Sequence, residues 1–384
     1  MGKPAKVALL IETATTWGSG LIEGIADYTH DTEDWRLFLG PWGKYDRLAL
    51  PKDWDGDGVI ARVTHPELAE QIIESKIPAV NVSWYRFGGA TIPRCTCDEA
   101  SIAELAVKYF LDLGFRDFAY CASALRPDYI DRVGEIFVEM LSDKGRSCHR
   151  FTPQDDPNIL PVSEDFDRLT LWLRKLPKPI GLLAFDSIQA RYVTEACHLN
   201  GIEVPHDVAV LGGEHDLLSC TVSLPQLSSI DHSPYQVGVA AAKLLARLME
   251  GESPPPEPTL LPATRIITRQ STDTVALQDE MLAACVRFIK THCHERIQVT
   301  DILREVSISR RALEKGFRKH LSRSPAAEIR RARVEKAVTL LCDTDWPMPR
   351  IAAACGFERP ELLTRALRRE LNITPSECRR RHRM

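Results

Sequence analysis

The chain has 384 residues, of which 44% are hydrophobic and 27% are charged. This length accommodates two or three domains with cores of their own, and the composition is that of a globular protein rather than a disordered or fibrous one. Apolar runs such as Val7–Ile11 are far shorter than the roughly 20 residues of a membrane span. No secretory signal follows Lys3 and Lys6. We therefore expect a cytoplasmic protein without a membrane segment.

The eleven cysteines are scattered and lack the paired spacing of a disulfide framework or a zinc site. The tight clusters are Cys95-Thr-Cys97 and His292-Cys293-His294, and neither has a second pair of ligands at zinc-site spacing. We expect reduced thiols, no bound metal and no cofactor.

The net charge of −4 conceals an asymmetry along the chain. From Leu277 onward the sequence contains 23 Lys and Arg residues against 14 Asp and Glu residues, a net charge of +9, whereas the preceding residues carry a net charge of −13. A basic third joined to an acidic two-thirds indicates that one part of the protein meets polyanions and the other does not.

In the front part, short apolar runs alternate with amphipathic segments, a pattern typical of βαβ units and a mostly parallel sheet. The predicted strands are Lys6–Ile11, Gly58–Val63, Ala79–Ser83, Asp117–Cys121, Gly181–Phe185, Val208–Gly212 and Leu260–Thr268. The predicted helices are Gly20–His30, Pro66–Lys76, Ala100–Leu113, Tyr129–Lys144, Ile188–Asn200 and Gln236–Glu250. Prolines in Ser253–Pro258 end the last helix, because proline lacks the amide that a helix interior needs.

From Thr274 onward helical periodicity replaces the strand pattern. We therefore predict an α/β domain over residues 1–272 and an all-α domain over residues 277–384. The all-α domain repeats itself with an offset of 50 residues. The matched sets are Leu313, Phe317, Leu321 and Pro325, then Leu363, Leu367, Leu371 and Pro375. Two copies of one small helical unit are predicted.

Each copy has a short helix, a tight turn and a second helix rich in Arg, Ser and Thr at its start. The first copy runs through Val299–Val306 and Arg310–His320, and the second through Met348–Ala354 and Pro360–Glu370. This order is typical of a helix-turn-helix, in which the second helix enters the major groove of DNA.

The faces of the two recognition helices opposite the apolar positions are rich in charge. The candidate DNA-binding residues are Arg310, Arg311, Glu314, Lys315, Arg318, Arg359, Glu361, Thr364, Arg365, Arg368 and Arg369. Basic side chains can bond guanine, and acidic ones can accept from cytosine. We expect phosphate contacts from Arg318, Lys319, Arg330, Arg331, Arg368 and Arg369. The alternative, a merely solvated charged face, fits one isolated helix better than two copies in register.

These residues resemble the AraC/XylS-type tandem helix-turn-helix domain over roughly Leu277–Arg380. The motifs that carry the resemblance are Ser309-Arg-Arg-Ala-Leu-Glu-Lys-Gly-Phe-Arg-Lys-His, Ser322-Arg-Ser-Pro325, Arg330-Arg-Ala-Arg-Val-Glu-Lys-Ala337, Ile351-Ala-Ala-Ala-Cys-Gly-Phe357 and Thr374-Pro-Ser-Glu377. The resemblance implies two recognition helices, joined by one linking helix, in successive major grooves. The chain departs from the family at Gly316 and at Leu362, Leu363 and Leu367.

The front part looks like a LacI-type, periplasmic-binding-protein-like sensor over about residues 5–270. The motifs are Gly58-Val-Ile-Ala-Arg62, Cys97-Asp-Glu-Ala-Ser-Ile-Ala-Glu-Leu-Ala106, Leu113-Gly-Phe115, Gly181-Leu-Leu-Ala-Phe-Asp186 and Val204-Pro-His-Asp-Val-Ala-Val-Leu-Gly-Gly213. The resemblance implies the type I fold, in which two lobes with parallel sheets enclose a small polar ligand.

A sugar needs an aromatic surface for its C–H face, and charged acceptors or forked donors for its hydroxyl groups. Candidates at strand ends are Glu12, Trp17, Ser19, Arg62 and Trp84 in one lobe and Arg132, Asp186 and Glu214 in the other. By the same resemblance, Arg132 and Asp186 clamp the ligand. Alternatives remain open: packing roles for both tryptophans, a surface pair of Arg132 with Asp131 or Glu135, and a helix N-cap for Asp186.

Together the two resemblances predict a transcription regulator that binds operator DNA and a sugar, D-xylose or a related monosaccharide. They also imply a homodimer, and contact with RNA polymerase if the protein is an activator. The sequence has no dinucleotide, phosphate-loop or nucleophile-elbow motif, so we do not expect an enzyme. In the alternative, the front domain is a protein-interaction or dimerisation module without a sugar ligand.

Overall fold

The computed structural model describes residues 4–32, 34–43, 46–123, 129–153, 164–273, 280–321, 323–371 and 373–382. Its strands are β1 Ala5–Leu10, β2 Trp35–Leu39, β3 Gly58–Ala61, β4 Ala79–Asn81, β5 Cys95–Cys97, β6 Asp117–Cys121, β7 Cys148–Phe151, β8 Ile180–Ala184, β9 Val208–Gly212, β10 Ser228–Asp231, β11 Thr259–Leu261 and β12 Arg265–Ile267.

The helices before residue 273 are α1 Thr16–Thr32, α2 Pro66–Ser75, α3 Glu99–Asp112, α4 Arg132–Ser142, α5 Glu164–Lys175, α6 Ser187–Leu199, α7 Leu217–Val222 and α8 Pro234–Met249, with a 3-10 turn over Gln270–Thr272. The later helices are α9 Glu280–His292, α10 Val299–Val306, α11 Arg310–Leu321, α12 Pro325–Asp343, α13 Met348–Ala354, α14 Pro360–Leu371 and α15 Pro375–His382.

The first lobe is built on a parallel sheet with the strand order β2-β1-β3-β4. One face of this sheet packs on α8, which comes from much later in the chain, and on α1. The two helices approach closely because glycine lies at their crossing. A Cβ atom on Gly24 would lie 2.1 Å from the Tyr235 carbonyl oxygen, and one on Gly238 would lie 2.2 Å from the Leu21 carbonyl oxygen. Any larger residue at either position would push the helices apart.

The second lobe contains a sheet with the order β12-β10-β9-β8-β6-β7, in which β12 alone among these strands runs antiparallel to its neighbour. Strands β6, β8 and β9 are almost fully buried, as expected for parallel strands covered by helices on both faces. The predicted α/β fold with parallel sheets in two lobes is confirmed.

The described chain passes between the lobes near three places: after β4, after β10 and between β11 and β12. The short strands β5 and β11 pair in parallel there, and Cys95 packs in the first lobe while Cys97 packs in the second. The prediction of one strand over Leu260–Thr268 is wrong. Pro262 separates two strands that join different sheets, because a residue without an amide cannot continue a ladder.

The all-α part contains the two predicted helical units with α12 between them. Leu313 and Phe317 are buried in the core of the first unit, and Leu363 and Leu367 in that of the second. The repeat is imperfect at one position, since Leu321 is buried whereas Leu371 is 45% exposed.

Gly316 allows α9 to pack closely on the first recognition helix. A Cβ atom on this residue would lie 3.2 Å from a Leu282 methyl group, tighter than ordinary van der Waals contact. The departure from the family at this position therefore has a packing reason, which offsets the low helix propensity of glycine.

Two properties of the described residues bear on the function class of the protein. None of the helices in the described ranges combines the length and apolar character that crossing a membrane requires. Among the same residues, no group of three or more His, Cys, Asp or Glu side chains is arranged to bind a metal ion.

Candidate ligand cleft and nucleic-acid interface

A buried ion pair lies at the carboxyl ends of β1 and β3. Nη1 of Arg62 donates to Oε1 of Glu12 at 2.6 Å. Glu12 is only 2% exposed, and its second oxygen, Oε2, is buried without a hydrogen-bond partner among the residues that the structure describes. Because an unsatisfied buried carboxylate oxygen is costly, this atom is a ready acceptor for a ligand hydroxyl.

Glu214 of the second lobe belongs to the same electrostatic cluster. Burial by itself lowers the pKa of Arg62, but the carboxylates of Glu12 and Glu214 outweigh it and raise the pKa above its ordinary value. The guanidinium is therefore a permanent cation between carboxylates from two lobes.

Aromatic rings line the space between the lobes. The ring of His232 lies 6.1 Å from that of Trp17 and 5.4 Å from that of Trp84, measured between centroids. Trp84 also lies 6.4 Å from Phe185 of the second lobe, and its indole Nε1 donates to the Cys97 carbonyl oxygen at 3.2 Å. The predicted tryptophans thus take part in a cluster that spans both lobes, with packing neighbours on each side.

His232 is a cleft residue that sequence reasoning missed. It is 4% exposed, and its Nε2 lies 2.5 Å from the Gly213 carbonyl oxygen. Burial lowers its pKa, against the opposing effect of Glu214, so the ring is neutral at pH 7. With Nε2–H donating to the carbonyl, Nδ1 is left as an acceptor. No sequence motif surrounds His232, although it follows the end of β10.

A second pair of rings extends this aromatic cluster through Phe185. The ring centroids of Tyr85 and Tyr129 are 5.3 Å apart, and Tyr129 lies 5.6 Å from Phe185. The Tyr129 hydroxyl is buried without a hydrogen-bond partner among the described residues, and burial together with the Asp131 carboxylate raises its pKa. It is a neutral group that can donate to a ligand. Tyr85 follows Trp84 in the loop after β4, so the strand-end rule that selected Trp84 could also have selected Tyr85.

The lobes also bond each other directly beside this cluster. The hydroxyl of Thr16 accepts from the Leu217 amide at 2.8 Å, and Asp216 lies 3.5 Å from the Thr16 amide and hydroxyl. Asp216 shares a loop with Glu214, which connects the charged cluster to the contact between lobes.

Two predicted ligand residues bond near neighbours in the sequence. Ser19 is exposed on α1, where its hydroxyl donates to the Thr15 carbonyl oxygen at 2.9 Å. The side chain of Arg132 is 48% exposed and pairs with Glu135 at 3.0 Å. The structure thus shows Arg132 in the surface pair that was the alternative to a ligand contact.

Asp186 lies at the end of β8 and caps helix α6. Its Oδ1 accepts from the Gln189 amide at 2.8 Å, which is the N-cap geometry that the sequence left open.

Two substitutions separate the cap role of Asp186 from its predicted ligand role. Asp186→Ala should lower the free energy of unfolding by about 0.5–2 kcal/mol, whereas Asp186→Asn should keep the cap, because Asn is as good an N-cap as Asp. If the carboxylate also binds the ligand, the Asn variant should lose sugar affinity at unchanged stability. Thermal melting beside calorimetry measures both quantities, and unchanged sugar affinity in the Asn variant would leave the cap as the sole role.

The two recognition helices expose their charged faces. Arg311, Lys315 and Arg318 are exposed on α11, and Arg365 and Arg369 on α14. Three other candidates bond partners on their own helix. Arg310 pairs with Glu314 at 3.2 Å on α11, and on α14 the hydroxyl of Thr364 donates to the Pro360 carbonyl oxygen at 3.1 Å. The remaining candidates are also exposed: Arg359, Glu361 and Arg368.

A cavity of about 310 Å³ lies between α12 and α14, lined by Ala326, Ile329, Arg330, Arg333, Phe357, Leu362, Arg365, Ala366 and Arg369. Leu362, which departs from the family pattern, forms part of its wall and is 40% exposed. The cavity sets Arg365 and Arg369 on the rim of a concave surface beside the recognition helix.

Two basic residues of the linking helix α12 form ion pairs within the helical domain. Arg330 pairs with Glu370 of α14 at 2.5 Å. Arg331 pairs with Glu328 at 2.9 Å and also contacts Glu335. Phosphate contacts from Arg330 and Arg331 stay a prediction, and they would require these partly buried ion pairs to open.

Comparisons with known families match both parts of the chain. A periplasmic binding protein-like domain matches residues 107–272, the XylR N-terminal domain matches residues 6–89, and a helix-turn-helix domain matches residues 302–381.

Curated relatives align along almost the whole chain. The xylose operon regulatory protein of Escherichia coli (strain K12) is 27% identical over 384 residues, covering 98% of this chain and 97% of the relative. The protein of the same name from Haemophilus influenzae is 26% identical over 388 residues, covering 97% and 98%. These relatives are transcription regulators rather than enzymes.

Solved structures agree with this result. A structure described as the xylose-binding transcription activator xylR superimposes with a TM-score of 0.63 at 25% identity and covers 100% of this chain and 99% of that one. A LacI family regulator from Enterococcus faecium with bound ribose gives a TM-score of 0.55 at 19% identity, over 71% of this chain and 99% of that one. The second likeness shows the fold of the sensor alone.

Proposed function

Since the chain is a DNA-binding transcription regulator homologous to the xylose operon regulatory proteins, with a sugar-sensing front domain, we propose that its effector is D-xylose or a closely related monosaccharide. The observation that carries this proposal is the buried Oε2 atom of Glu12, which has no partner among the described residues and belongs to a cleft lined with aromatic rings.

The chemistry of the cleft suits a small polyol ring. Trp17 and Trp84 present ring surfaces to the C–H face of a sugar. Glu12 and Glu214 accept hydrogen bonds from hydroxyl groups, and Arg62 donates to ring or hydroxyl oxygens. Bonds that involve a charged partner are about twice as strong as neutral ones, so these three residues supply most of the polar recognition.

Both lobes contribute to the proposed site, so the ligand favours the closed arrangement. Glu12, Arg62 and Trp84 come from the first lobe, whereas Glu214 and Tyr129 come from the second. A ligand shifts a conformational equilibrium only by its differential affinity for the two forms. A sugar that contacts the residues of both lobes stabilises the closed form. In this way it affects DNA binding by the all-α domain of residues 277–384, the tail.

Calorimetry of the full-length protein against D-xylose, L-arabinose, D-ribose and D-glucose tests the effector. Heat with one pentose and recovery of that sugar unmodified would support the proposal. Turnover of the sugar would indicate an enzyme. The absence of a heat signal with all four sugars would favour an interaction module without a sugar ligand. For the DNA-binding experiments, the operator sequence is first identified by selection from random duplexes. The measurements then do not depend on the operator of a homologous regulator.

The two recognition helices supply base reading in this proposal. Arg365→Ala should cost about 1–3 kcal/mol on the selected operator and relax specificity locally, because a bidentate contact with a base is lost. Arg311→Ala should do the same at the other half of the site. Arg369→Ala is the matched control, and we expect it to weaken specific and random duplexes alike. Fluorescence anisotropy on both kinds of DNA measures the difference, and equal losses for Arg365→Ala would remove it from base reading.

A further inference from the structure

A charged contact at Arg323 joins the sensor to the DNA-binding domain. Nη2 of Arg323, in the turn between α11 and α12, donates to the Asp112 carbonyl oxygen at 2.6 Å, and Nη1 lies 3.4 Å from the Asp112 carboxylate. Asp112 is the last residue of α3. Helix carbonyls at a C-terminus lack helical partners and carry partial negative charge, so a guanidinium is well matched to this place.

The same guanidinium also binds the core of the first helical unit. Nε of Arg323 contacts Glu328, whose side chain is 0% exposed. Arg331 bonds the same carboxylate at 2.9 Å, and burial, which would raise the pKa of Glu328, is outweighed by the two arginines, so that the pKa is lowered. Arg323 thus bridges two domains with one planar group that is 17% exposed.

Further contacts tie this junction to the second lobe. Tyr109, one turn before Asp112 on α3, bonds the hydroxyl of Thr272 at 2.7 Å. Thr272 is followed by Asp273, the last described residue of the sensor. Lys290 of α9 lies 3.3 Å from Asp273. The two parts of the sensor that contact the tail, α3 and residues 272–273, belong with the second lobe. Helix α3 shares a core with β6 and β10, and Thr272 is bonded to α3 through Tyr109.

We propose that Arg323 is the positioning residue that fixes the first helix-turn-helix unit to the second lobe, so that movement between the lobes is passed to recognition helix α11. The inference rests on the proposed function, since it specifies how a sugar in the cleft reaches the DNA. The bridge is attached to the first unit, so lobe movement repositions the first unit against the second.

Removal of the Arg323 side chain should leave the fold of the first helical unit, the sugar site and the DNA-reading face intact. Without Arg323, the buried Glu328 carboxylate still has Arg331 as a partner at 2.9 Å, so we expect the first unit to fold. Arg323 lies outside the cleft and off the DNA-reading face of α11. Arg323→Gln should therefore keep sugar affinity and sugar-free DNA affinity near those of the unaltered protein.

The test uses the full-length protein, with operator titrations in the presence and absence of D-xylose. Allosteric effects typically change affinity by about 5–150-fold, and in Arg323→Gln we expect the sugar-dependent change to fall below about 2-fold. Arg323→Lys, which keeps the charge and loses the planar fork, should restore part of the response. Arg296→Gln is the matched control, because Arg296 pairs with Glu358 at 3.5 Å on the exposed surface of the tail.

Hydrogen exchange without any sugar provides a second, independent measurement. Arg323→Gln should speed amide exchange at the end of α3 and in the first turn of α12, whereas Arg296→Gln should not. Unchanged exchange would overturn the bridge, whatever the sugar does. Faster exchange with an undiminished sugar response would overturn its role in coupling. If the unaltered protein bound DNA equally with and without each sugar of the panel, the proposed function would fail, while exchange would still decide the bridge.

Discussion

Replacing Arg62 with methionine should abolish measurable sugar binding and lower the free energy of unfolding by about 3 kcal/mol, the lower end of the range for breaking a buried pair. Methionine fills a similar volume but leaves the Glu12 carboxylate, 2% exposed, without its cation at 2.6 Å. The lower end applies because Arg62 itself retains 29% exposure and water can reach the site. Chemical denaturation and calorimetry measure the two effects.

Glu12→Gln is the matched control for this prediction. It removes the charge but leaves Arg62 beside Glu214 and partly in water, so we expect a small change in stability. Sugar affinity should still fall by at least about 10-fold, because a charge-assisted bond contributes about 1.5–3 kcal/mol. If Glu12→Gln bound the sugar normally, the ion pair would be structural only, and the ligand would have to lie elsewhere between the lobes.

The helical tail could be predicted from the sequence almost to the residue. The predicted bounds Val299–Val306 and Met348–Ala354 coincide with α10 and α13, since proline, serine and the apolar repeat mark each helix end. In the sensor, Asp117–Cys121 and Val208–Gly212 also match β6 and β9. Where a continuous apolar run is flanked by polar turn residues, the sequence marks clearly where the strand begins and ends.

Other elements could not be read from the sequence. Strands β2, β7 and β10 were not predicted, because each mixes polar and apolar residues. Two of them, Trp35–Leu39 and Cys148–Phe151, lie at sheet edges, and Ser228–Asp231 precedes a passage of the chain between the lobes. Each of them pairs with the strand that precedes it in the chain. The pairing of β5 with β11, separated by more than half the sensor sequence, is decided by tertiary contact rather than by local pattern.

For the cleft, sequence reasoning found the charged residues better than the aromatic ones. Strand-end position selected Glu12, Arg62 and Glu214, which the structure brings into one electrostatic cluster. His232 and Tyr129 were missed, since their places depend on how two lobes meet. Arg132 illustrates the converse: a helix-start arginine has a nearby carboxylate on its own helix, and the structure pairs it there.

Separate cores make the two halves of the molecule separable in experiment. The cores around Phe317 and Leu367 consist of tail residues only, while the cores of the lobes consist of sensor residues only. The bridge at Arg323 adds a contact between the domains, but it completes neither core. A tail without its sensor should therefore fold and present both recognition helices.

A fragment of residues 277–384 should accordingly bind the selected operator, whereas a fragment of residues 1–272 should bind no DNA. The tail carries a net charge of +9 and the remainder a net charge of −13, so phosphate contacts can come from one part alone. If the two helices neutralise about six phosphates, affinity should fall by about 1,000-fold between about 50 and 200 mM salt, through counterion release. Sugar should have no effect on the isolated tail, because the cleft is absent. Binding of DNA by the front fragment, with none by the tail, would show that the basic repeat is not the DNA-binding surface.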